Sequence, residues 1–412
     1  MQRFSIKMGL DNISKLCRFL NHPQDKFPSI HIAGTNGKGS TAAVIQKILS
    51  HHGLRVGLYT SPHLVKFNER IRINDQFIDD KDIFNTWKNI RKLVFKLKAT
   101  FFDATTAMAF KYFADEQVDL GVIETGLGGR LDSTNILKPK AVVLTPIDRD
   151  HEKQLGRDFA GIAREKAAII KDGATVFTAR QRPEVAEILK SYQQRREGFI
   201  IASDAAEVKD IIVENEWTGF NLLDKKRNEI FPDIRLSLTG AHQVENAALA
   251  YLCARWYLEQ TDEFFSESNF RQALASVYWP GRLQRIAIAP DVIFDVSHNE
   301  AGFEISLNYA RSQYPAHNRV LLLGLLSDKD FNRIVPLTGK IFHRIYLTEP
   351  LNPRKMEASA LKKIFDRHGI ETEAIRSPHE AYNTAVSSLT ENEVLFVMGS
   401  HFLIGELFKT TI

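Results

Sequence analysis

A glycine-rich segment with a lysine and three hydroxyl residues follows the apolar run 29–33 and precedes a helical pattern. Glycines let successive backbone N–H groups point at phosphate oxygens, and the N-terminus of a helix adds the positive end of its dipole. We expect the lysine to reach the outer phosphates of a nucleotide and a hydroxyl to reach Mg²⁺. The segment consists of Gly34, Thr35, Asn36, Gly37, Lys38, Gly39, Ser40 and Thr41.

The match of this segment to the common GxxxxGK[ST] loop is incomplete. Ile32 occupies the first glycine position, and Gly39 directly follows Lys38. An ordinary glycine-rich turn between a strand and a helix is therefore the alternative. The glycines, the lysine and the hydroxyl residues together favour phosphate binding.

Short β-rich runs alternate with helical patterns through most of the chain, which is typical of parallel α/β sheets. Between the first two runs, apolar residues recur at helical spacing from Val44 to Leu49 and Gly53 follows as a helix stop, which predicts a βαβ unit. The segment 214–238 is less regular and predicts a peripheral hairpin. Strands are predicted at 29–33, 56–60, 118–124, 141–146, 292–296, 320–326, 345–348 and 394–398.

The chain length of 412 residues exceeds what one hydrophobic core usually organises, so two domains are expected. Pro280, Gly281 and Pro290 interrupt the alternating pattern. We therefore predict a larger first domain at 1–285 and a smaller second domain at 286–412.

Charge and composition argue against several kinds of partner. The formal net charge is only +4, from 54 basic and 50 acidic residues, which is too weak to indicate nucleic-acid binding. Charged residues interrupt 1–20, and no uncharged apolar run approaches membrane-spanning length. Cys17 and Cys253 show neither disulfide nor zinc spacing. We expect a cytoplasmic protein that binds neither nucleic acid nor membrane.

Ordered motifs through the chain resemble those of the folylpolyglutamate synthase/dihydrofolate synthase family, a branch of the Mur ligase superfamily. So many matches in one order are not expected by chance. The matching strings are HIAGTNGKGST (31–41), TSPHL (60–64), NERIRI (68–73), ETGLGGRLDSTN (124–135), DRDH (148–151), EKAAII (165–170), GAHQVEN (240–246), WPGRL (279–283) and DVSHN (295–299).

The resemblance implies an α/β fold in which a Mur-ligase-like domain, with a central parallel sheet and a phosphate loop, precedes a smaller Rossmann-like α/β domain. It implies an ATP-dependent ligase of folate biosynthesis that adds L-glutamate to dihydropteroate and to tetrahydrofolate polyglutamates through an acyl-phosphate. Such chemistry gathers several anionic oxygens and needs cations to hold them, so Mg²⁺ is the expected cofactor. The resemblance also implies a monomer.

Three residues are candidate Mg²⁺ ligands. Glu124 closes an apolar strand before a glycine-rich loop, the usual place for a ligand-facing carboxylate in an α/β sheet, although a solvated strand end is the alternative. The resemblance implies that Ser61, Glu124 and His151 hold the metal, and that Glu124 and His151 belong to the catalytic set with Lys38 and Lys166.

Lys166 lies in an apolar helical segment, where a bare ammonium is costly unless it is paired or neutral. The resemblance implies that this lysine is carbamylated and so becomes an anion. From the sequence alone, the alternatives are that Lys166 extends to solvent or pairs with Glu165.

Residues beyond the phosphate loop also match ATP-contacting positions of the family, namely Asn246, Arg282 and Asp295. The guanidinium of Arg282 suits phosphate, and Asp295, at a strand end, suits a ribose hydroxyl or a base edge. His298 and Asn299 follow and can instead cap the next helix.

The segment Thr100, Phe101, Phe102 and Asp103 resembles the stretch that receives pteroate in bifunctional members of the family. A phenylalanine can stack on a flat pterin ring while Asp103 accepts hydrogen bonds from it. The alternative is that Asp103 caps a helix and both phenylalanines lie in the core. By resemblance, Ile6, Lys7, Met8, Leu131, Asp132 and Ser133 are expected to complete the pocket.

Three other functions stay open at this stage. The chain can be a folylpolyglutamate synthase without the dihydropteroate reaction, or another amide ligase of the Mur family. Peptidoglycan Mur ligases carry an additional N-terminal domain, for which we expect no room before Gly34. A regulatory nucleotide-binding protein explains 34–41 but not the ordered motifs as far as Asn299.

Overall fold

The structure is a computed structural model that describes residues 9–156, 158–194, 198–327, 331 and 333–411. The described residues form two compact units. The first contains the described residues up to Ile212, together with Gly219–Ser237 and Gln243–Tyr278. The second contains Val213–Thr218, Leu238–His242 and the described residues from Trp279 onward.

The first unit is built on an eight-stranded sheet with the order β4-β3-β2-β5-β1-β6-β7-β8. The strands from β2 to β8 in this order are parallel, while β3 and β4 add an antiparallel edge. Central β1 is buried along its whole length, which explains its continuous apolar character. The strands are β1 Ser29–Ala33, β2 Val56–Tyr59, β3 Ile71–Ile73, β4 Gln76–Phe77, β5 Leu120–Glu124, β6 Ala141–Leu144, β7 Thr175–Thr178 and β8 Phe199–Ile201.

Helices connect these strands and cover the sheet. Two buried apolar clusters hold the layers together: one centres on Phe110 and Phe113 and the other on Ile162 and Val176. The helices are α1 Asp11–Phe19, α2 Lys38–His51, α3 Asp80–Leu97, α4 Phe101–Asp115, α5 Glu152–Leu155, α6 Phe159–Ala167, α7 Pro183–Gln193, α8 Ala202–Ala205, α9 Ala241–Gln260 and α10 Glu267–Ala275.

A separate three-stranded sheet has the order β11-β10-β9. Its strands are β9 Ala206–Val213, β10 Thr218–Asp224 and β11 Glu229–Leu236. The predicted hairpin outside the main sheet is therefore confirmed, and β9 is an additional strand that the sequence did not predict.

The second unit contains a six-stranded sheet with the order β12-β13-β17-β14-β15-β16. All of its pairs are parallel except β12 with β13. Its strands are β12 Gln284–Ile288, β13 Asp291–Phe294, β14 Arg319–Leu323, β15 Arg344–Leu347, β16 Glu373–Ala374 and β17 Val394–Met398. Its helices are α11 Glu300–Gln313, α12 Ile334–Ile341, α13 Ala358–Arg367, α14 Pro378–Ser387 and α15 His401–Thr411.

Two short segments from the middle of the chain are integral to the second unit. Val213 packs against its apolar core. Asn215 Oδ1 accepts hydrogen bonds from the hydroxyls of Tyr309 (3.4 Å) and Tyr314 (3.2 Å). Within the unit, Thr218 Oγ1 donates to Leu238 O (2.9 Å). The second unit is therefore not a continuous stretch of sequence.

The predicted α/β class is confirmed, and all eight predicted strands are present: β1 and β17 have the predicted ends, and the other six have ends shifted by up to a few residues. Strands β3, β4, β8 and β16 have only two or three residues and were not predicted, and the longer strands β7 and β12 were not predicted either. In the described part of the chain, no helix has both the length and the apolar composition required to cross a membrane.

Candidate active site

The glycine-rich loop lies between the end of β1 and the start of α2. A Cβ on Gly34, which has φ +155°, would lie 1.9 Å from Thr145 Oγ1. A Cβ on Gly37, which has φ +84°, would lie 2.5 Å from Asn246 Oδ1. Side chains are therefore excluded at both positions, by contact and by backbone conformation.

Hydrogen bonds hold this loop against the segment after β6. Thr35 N donates to Pro146 O (2.8 Å), and Thr35 Oγ1 donates to Asp148 O (2.8 Å). Asp148 N donates back to Thr35 Oγ1 (2.9 Å). Thr35 thus ties the loop to the segment after β6 at three points.

The first turn of α2 presents two buried hydroxyls, those of Ser40 and Thr41. Among the described residues, Thr41 Oγ1 has no hydrogen-bond partner. A buried hydroxyl without a partner is costly, and an oxyanion bound at the helix N-terminus would supply one. This loop therefore fits a nucleotide phosphate.

Lys38 links the loop to Glu124. Its Nζ donates to Thr35 O (3.1 Å) and lies 3.9 Å from Glu124 Oε1. Glu124 is buried at the end of β5 and pairs in register with Ile32 of β1. Ser61 N donates to Glu124 Oε2 (3.1 Å). The structure thus brings together the predicted residues Lys38, Glu124 and Ser61.

His151 lies on the segment that follows β6. It has a left-handed backbone (φ +52°), and its Nε2 lies 3.8 Å from Asp150 Oδ2. The described residues contain no group of three or more His, Cys, Asp or Glu side chains that could hold a metal. The predicted donor set includes only two residues of these types, Glu124 and His151, so the hydroxyl of Ser61, phosphate oxygens and water would have to complete the coordination of Mg²⁺.

Lys166 is buried on α6, with 6% of its surface exposed, and its Nζ donates to Gly34 O (2.7 Å). The pKa of this amine is lowered from 10.5 to about 7, first by burial and then by the positive charge of Lys38. Asp150 and Asp132 oppose this shift. Neither alternative for Lys166 holds, because it does not extend to solvent and Glu165 pairs with Arg130 (2.8 Å).

Asp103 occupies the start of α4 in a capping box. Thr100 Oγ1 accepts from Asp103 N (3.0 Å), and Asp103 Oδ2 accepts from Thr100 N (2.8 Å). The other oxygen of Asp103 accepts from Ser133 Oγ (2.7 Å). Asp103 therefore supports the helix start, as the structural alternative expected, although Thr100 is the N-cap residue. It also connects α4 to the loop that contains Ser133.

The two phenylalanines of this segment differ in exposure. Phe102 packs against the core and lies 6.0 Å from the ring of Tyr59. Phe101 is 42% exposed, with the guanidinium of Arg70 5.3 Å from its ring centre. Phe101 is the more exposed of the two rings and is therefore the better candidate to stack on a flat ligand.

The predicted residues Leu131 and Asp132 directly precede Ser133, which donates a hydrogen bond to Asp103 at the start of α4. Leu131 is half-buried, whereas Asp132 is buried. Asp132 accepts from Leu127 N (2.8 Å) and from Thr134 N (3.0 Å). Ile6, Lys7 and Met8 lie outside the described residues.

Asn246 belongs to the first unit and Arg282 and Asp295 to the second. The amide Nδ2 of Asn246 donates to Gln243 Oε1 (3.1 Å). Asp295 is buried and accepts from Leu283 N (2.9 Å), Ser297 N (2.8 Å) and Ser306 Oγ (3.0 Å). Its carboxylate thus organises the turn after β13.

Arg282 lies beside His401, a histidine that sequence reasoning did not assign. Its Nη2 is 3.5 Å from His401 Nε2, and the rings of His401 and His298 are 5.3 Å apart. Burial lowers the pKa of His242 to about 4, with Arg282 contributing in the same direction. His242 stands within the string GAHQVEN and could have been noticed there, whereas His401 stands in none of the matched strings. Asn299 caps α11 through Gly302 N (2.9 Å), as the alternative expected.

Comparison with known proteins agrees with this geometry. Residues 32–254 match the model of the Mur ligase middle domain, and residues 281–401 match that of the Mur ligase glutamate ligase domain. Together these matches define the class of protein as the Mur ligases.

Individual relatives narrow the class. The chain is 34% identical to dihydrofolate synthase/folylpolyglutamate synthase of Bacillus subtilis, over 99% of this chain and 96% of that protein. It is 33% identical to folylpolyglutamate synthase of Lacticaseibacillus casei, over 86% of this chain and 84% of that protein. The chain therefore belongs to the dihydrofolate synthase/folylpolyglutamate synthase family.

Solved structures support the same assignment. Folylpolyglutamate synthase of Mycobacterium tuberculosis complexed with ADP has a TM-score of 0.91 and 30% identity, covering 100% of this chain and 96% of that one. A folylpolyglutamate synthase complex with AMPPCP and folate has a TM-score of 0.88 and 30% identity, covering 99% and 96%.

The replacement Lys166→Met removes an amine whose charged form the fold disfavours. Because the pKa is lowered from 10.5 to about 7, the unfolded chain retains the proton between these values while the folded chain releases it. The wild-type free energy of unfolding therefore gains from this group as pH rises through the window, by at most about 1.4 kcal/mol per pH unit. When unfolding by urea is measured without CO₂, the excess in free energy of unfolding of Lys166→Met over the wild type should decrease from pH 7 to pH 10.

Lys88→Met is the matched control, because it removes an exposed lysine from α3. The difference in free energy of unfolding between Lys88→Met and the wild type should not change in this way between pH 7 and pH 10. An advantage of Lys166→Met that stays constant between pH 7 and pH 10 would contradict the lowered pKa.

Proposed function

We propose that the protein is an ATP-dependent ligase that adds L-glutamate to dihydropteroate, giving dihydrofolate, and to tetrahydrofolate polyglutamates. The observation that carries the proposal is the arrangement of Lys38, Glu124 and buried Lys166 around one phosphate loop. The family assignment and the folate and nucleotide complexes of the similar structures support it.

The reaction requires activation because a carboxylate is a poor electrophile. The loop from Gly34 to Thr41 binds the phosphates of ATP through backbone N–H groups, and Lys38 stabilises the γ-phosphoryl group during transfer. A carboxylate oxygen of the folate substrate attacks the γ-phosphorus, and ADP leaves. The glutamate amine then attacks the acyl carbon, loses a proton and displaces phosphate through a tetrahedral intermediate.

Ser61, Glu124 and His151 are the residues that would hold Mg²⁺. Their hydroxyl, carboxylate and imidazole groups, together with the unpartnered Thr41 hydroxyl, suit a cation that is also bound to phosphate oxygens. When bound, the ion neutralises the charge that develops on the transferring phosphoryl group.

Lys166 is proposed to react with CO₂ and work as a carbamate. An amine with a pKa of about 7 is half neutral at physiological pH, and the neutral amine is the nucleophile. The nitrogen forms a bond to carbon, a proton leaves and the side chain becomes an anion. That anion would offset the positive charge of Lys38 and provide oxygens at the loop.

The folate pocket is proposed to lie at the start of α4. Phe101 stacks on the pterin ring with its exposed face, while Leu131, Asp132 and Ser133 line the neighbouring loop. Asp103 has only part of its accepting capacity left, because Thr100 and Ser133 already donate to it. The roles of Thr100, Phe102, Ile6, Lys7 and Met8 in this pocket remain predictions.

We also propose that Asn246, Arg282 and Asp295 contact ATP. Residues 1–285 are proposed to carry the nucleotide and folate sites, and residues 286–412 to form the glutamate-ligase region. The protein acts as a cytoplasmic monomer.

The proposed function is tested by release of ADP from the purified protein. We expect release with dihydropteroate and with tetrahydrofolate, in each case only when glutamate is present. Glutamate-dependent release with tetrahydrofolate but not with dihydropteroate would assign the protein as a folylpolyglutamate synthase without the dihydropteroate reaction. Nucleotide hydrolysis that is independent of both folate and glutamate would instead favour a regulatory nucleotide-binding protein.

Two lysine variants separate the roles at the phosphate loop. Lys38→Ala and Lys166→Ala should each reduce turnover by roughly two orders of magnitude or more, the scale of a lost electrostatic group. Formate should restore part of the activity of Lys166→Ala, because it can replace the missing carbamate, but should not help Lys38→Ala. Equal responses to formate would argue against the carbamate.

The role of Asp103 is tested against that of the capping box. Asp103→Ala should reduce the dihydropteroate reaction more than the extension of tetrahydrofolate, if its carboxylate contacts the pterin. Thr100→Val breaks the same capping box but keeps the carboxylate, so it is the matched control. If both variants lower kcat/KM for the two reactions in equal proportion, Asp103 serves only the start of α4.

A further inference from the structure

His31 is a buried polar residue that the reaction scheme does not use. It lies in the middle of β1, three positions before Gly34, and none of its surface is exposed. In the sheet it is in register with Ile123 and Val142, which belong to apolar clusters. A polar ring in such surroundings costs free energy unless it is hydrogen-bonded.

The ring makes that hydrogen bond at the start of a short chain. His31 Nε2 lies 2.7 Å from Thr134 Oγ1, and Thr134 Oγ1 donates to Asp132 Oδ1 (2.5 Å). Asp132 in turn accepts from the backbone of Thr134 and Leu127 (3.0 and 2.8 Å). All three side chains are buried, so water does not compete for these bonds.

The chemistry of the three groups fixes the direction of the chain. A threonine hydroxyl has one proton, and here that proton goes to the carboxylate of Asp132. The lone pairs of the hydroxyl therefore face His31, so Nε2 must carry a proton and donate it. Burial, followed by the charge of Lys171, lowers the pKa of His31 to about 3, which keeps the ring neutral. Nδ1 then carries no proton, and it has no hydrogen-bond partner among the described residues.

We infer that His31 is a positioning residue for the loop 126–135, which it holds in place through Thr134 and Asp132. Ser133, which lies between Asp132 and Thr134 in that loop, donates to Asp103 at the start of α4 (2.7 Å). The hydrogen-bond chain thus connects the strand that carries the phosphate loop to the loop assigned to folate. The effect on folate binding rests on the proposed function, whereas the anchoring of the loop does not.

Kinetics of paired variants test the effect on substrate. His31→Leu removes the donor, while His31→Gln keeps an amide N–H near the position of Nε2. We expect His31→Leu to raise KM for dihydropteroate about tenfold, the scale of one lost buried hydrogen bond, and to leave KM for ATP within about twofold. His31→Gln should recover most of the loss. Equal changes in both KM values, or a Gln variant as impaired as the Leu variant, would overturn the inference.

Thr134→Val should reproduce the effect of His31→Leu, because it removes the hydroxyl that joins the ring to Asp132. Thr338→Val is the matched control: Thr338 is equally buried, donates to Val335 O (2.7 Å) and lies in the second unit. The control should leave the ratio of the two KM values unchanged. A Thr134→Val protein that behaves like this control would contradict the chain.

Two measurements test the anchoring of the loop 126–135 directly, without an activity assay. The ¹⁵N resonances of His31 in the wild-type protein should show a proton on Nε2 and none on Nδ1. Amide hydrogen exchange at Leu127 and Thr134 should be about tenfold faster in His31→Leu than in His31→Gln. The opposite tautomer, or equal exchange, would overturn the anchoring role. Absence of folate turnover in the wild-type protein would instead contradict the proposed function and leave this result to stand alone.

Discussion

The arrangement of the first unit depends on two lysine amines placed at one loop where little water can reach them. Lys38 Nζ donates to Thr35 O, and Lys166 Nζ donates to Gly34 O. The positive charge of Lys38 lowers the pKa of Lys166. Positive charge concentrated in a poorly solvated place is unfavourable unless anions share it. Glu124 and Asp150 supply part of that negative charge, and the phosphates of a nucleotide would supply more.

Glycines around the two lysines allow neighbouring segments of the chain to pack very close together. Gly34 and Gly37 leave no room for a side chain against Thr145 and Asn246, and Gly129 would place a Cβ 2.5 Å from Glu165 O on α6. The first two contacts connect the phosphate loop to the residue that follows β6 and to α9, and the third connects the loop after β5 to α6. The rigidity is useful because charged groups aimed at a transferring phosphoryl group contribute most when they do not have to reorganise.

Much of this organisation could be predicted from the sequence because the residues involved carry strong local signals. The buried strand β1 reads as an apolar run, and glycines followed by Lys38 indicate a phosphate loop. Other features depend on tertiary contacts and have no local signal. The sequence does not distinguish Phe101 from Phe102, since exposure is decided by how α4 packs on the core. His31 reads as one more strand residue, because Thr134 is distant in sequence. The proximity of Arg282 to His401 likewise arises only on folding.

The interleaved composition of the second unit constrains the order in which the protein can be made. Asn215 is synthesised 94 residues before Tyr309, whose hydroxyl donates a hydrogen bond to Asn215 Oδ1. At a translation rate of roughly 5–20 residues per second, this separation corresponds to a delay of about 5 to 20 seconds. During that time Val213–Thr218 and Leu238–His242 have left the ribosome without the strands and helices that later surround them. The core of the second unit can therefore close only when its last strand, β17, has emerged, which gives chaperones a defined interval in which to act on the nascent chain.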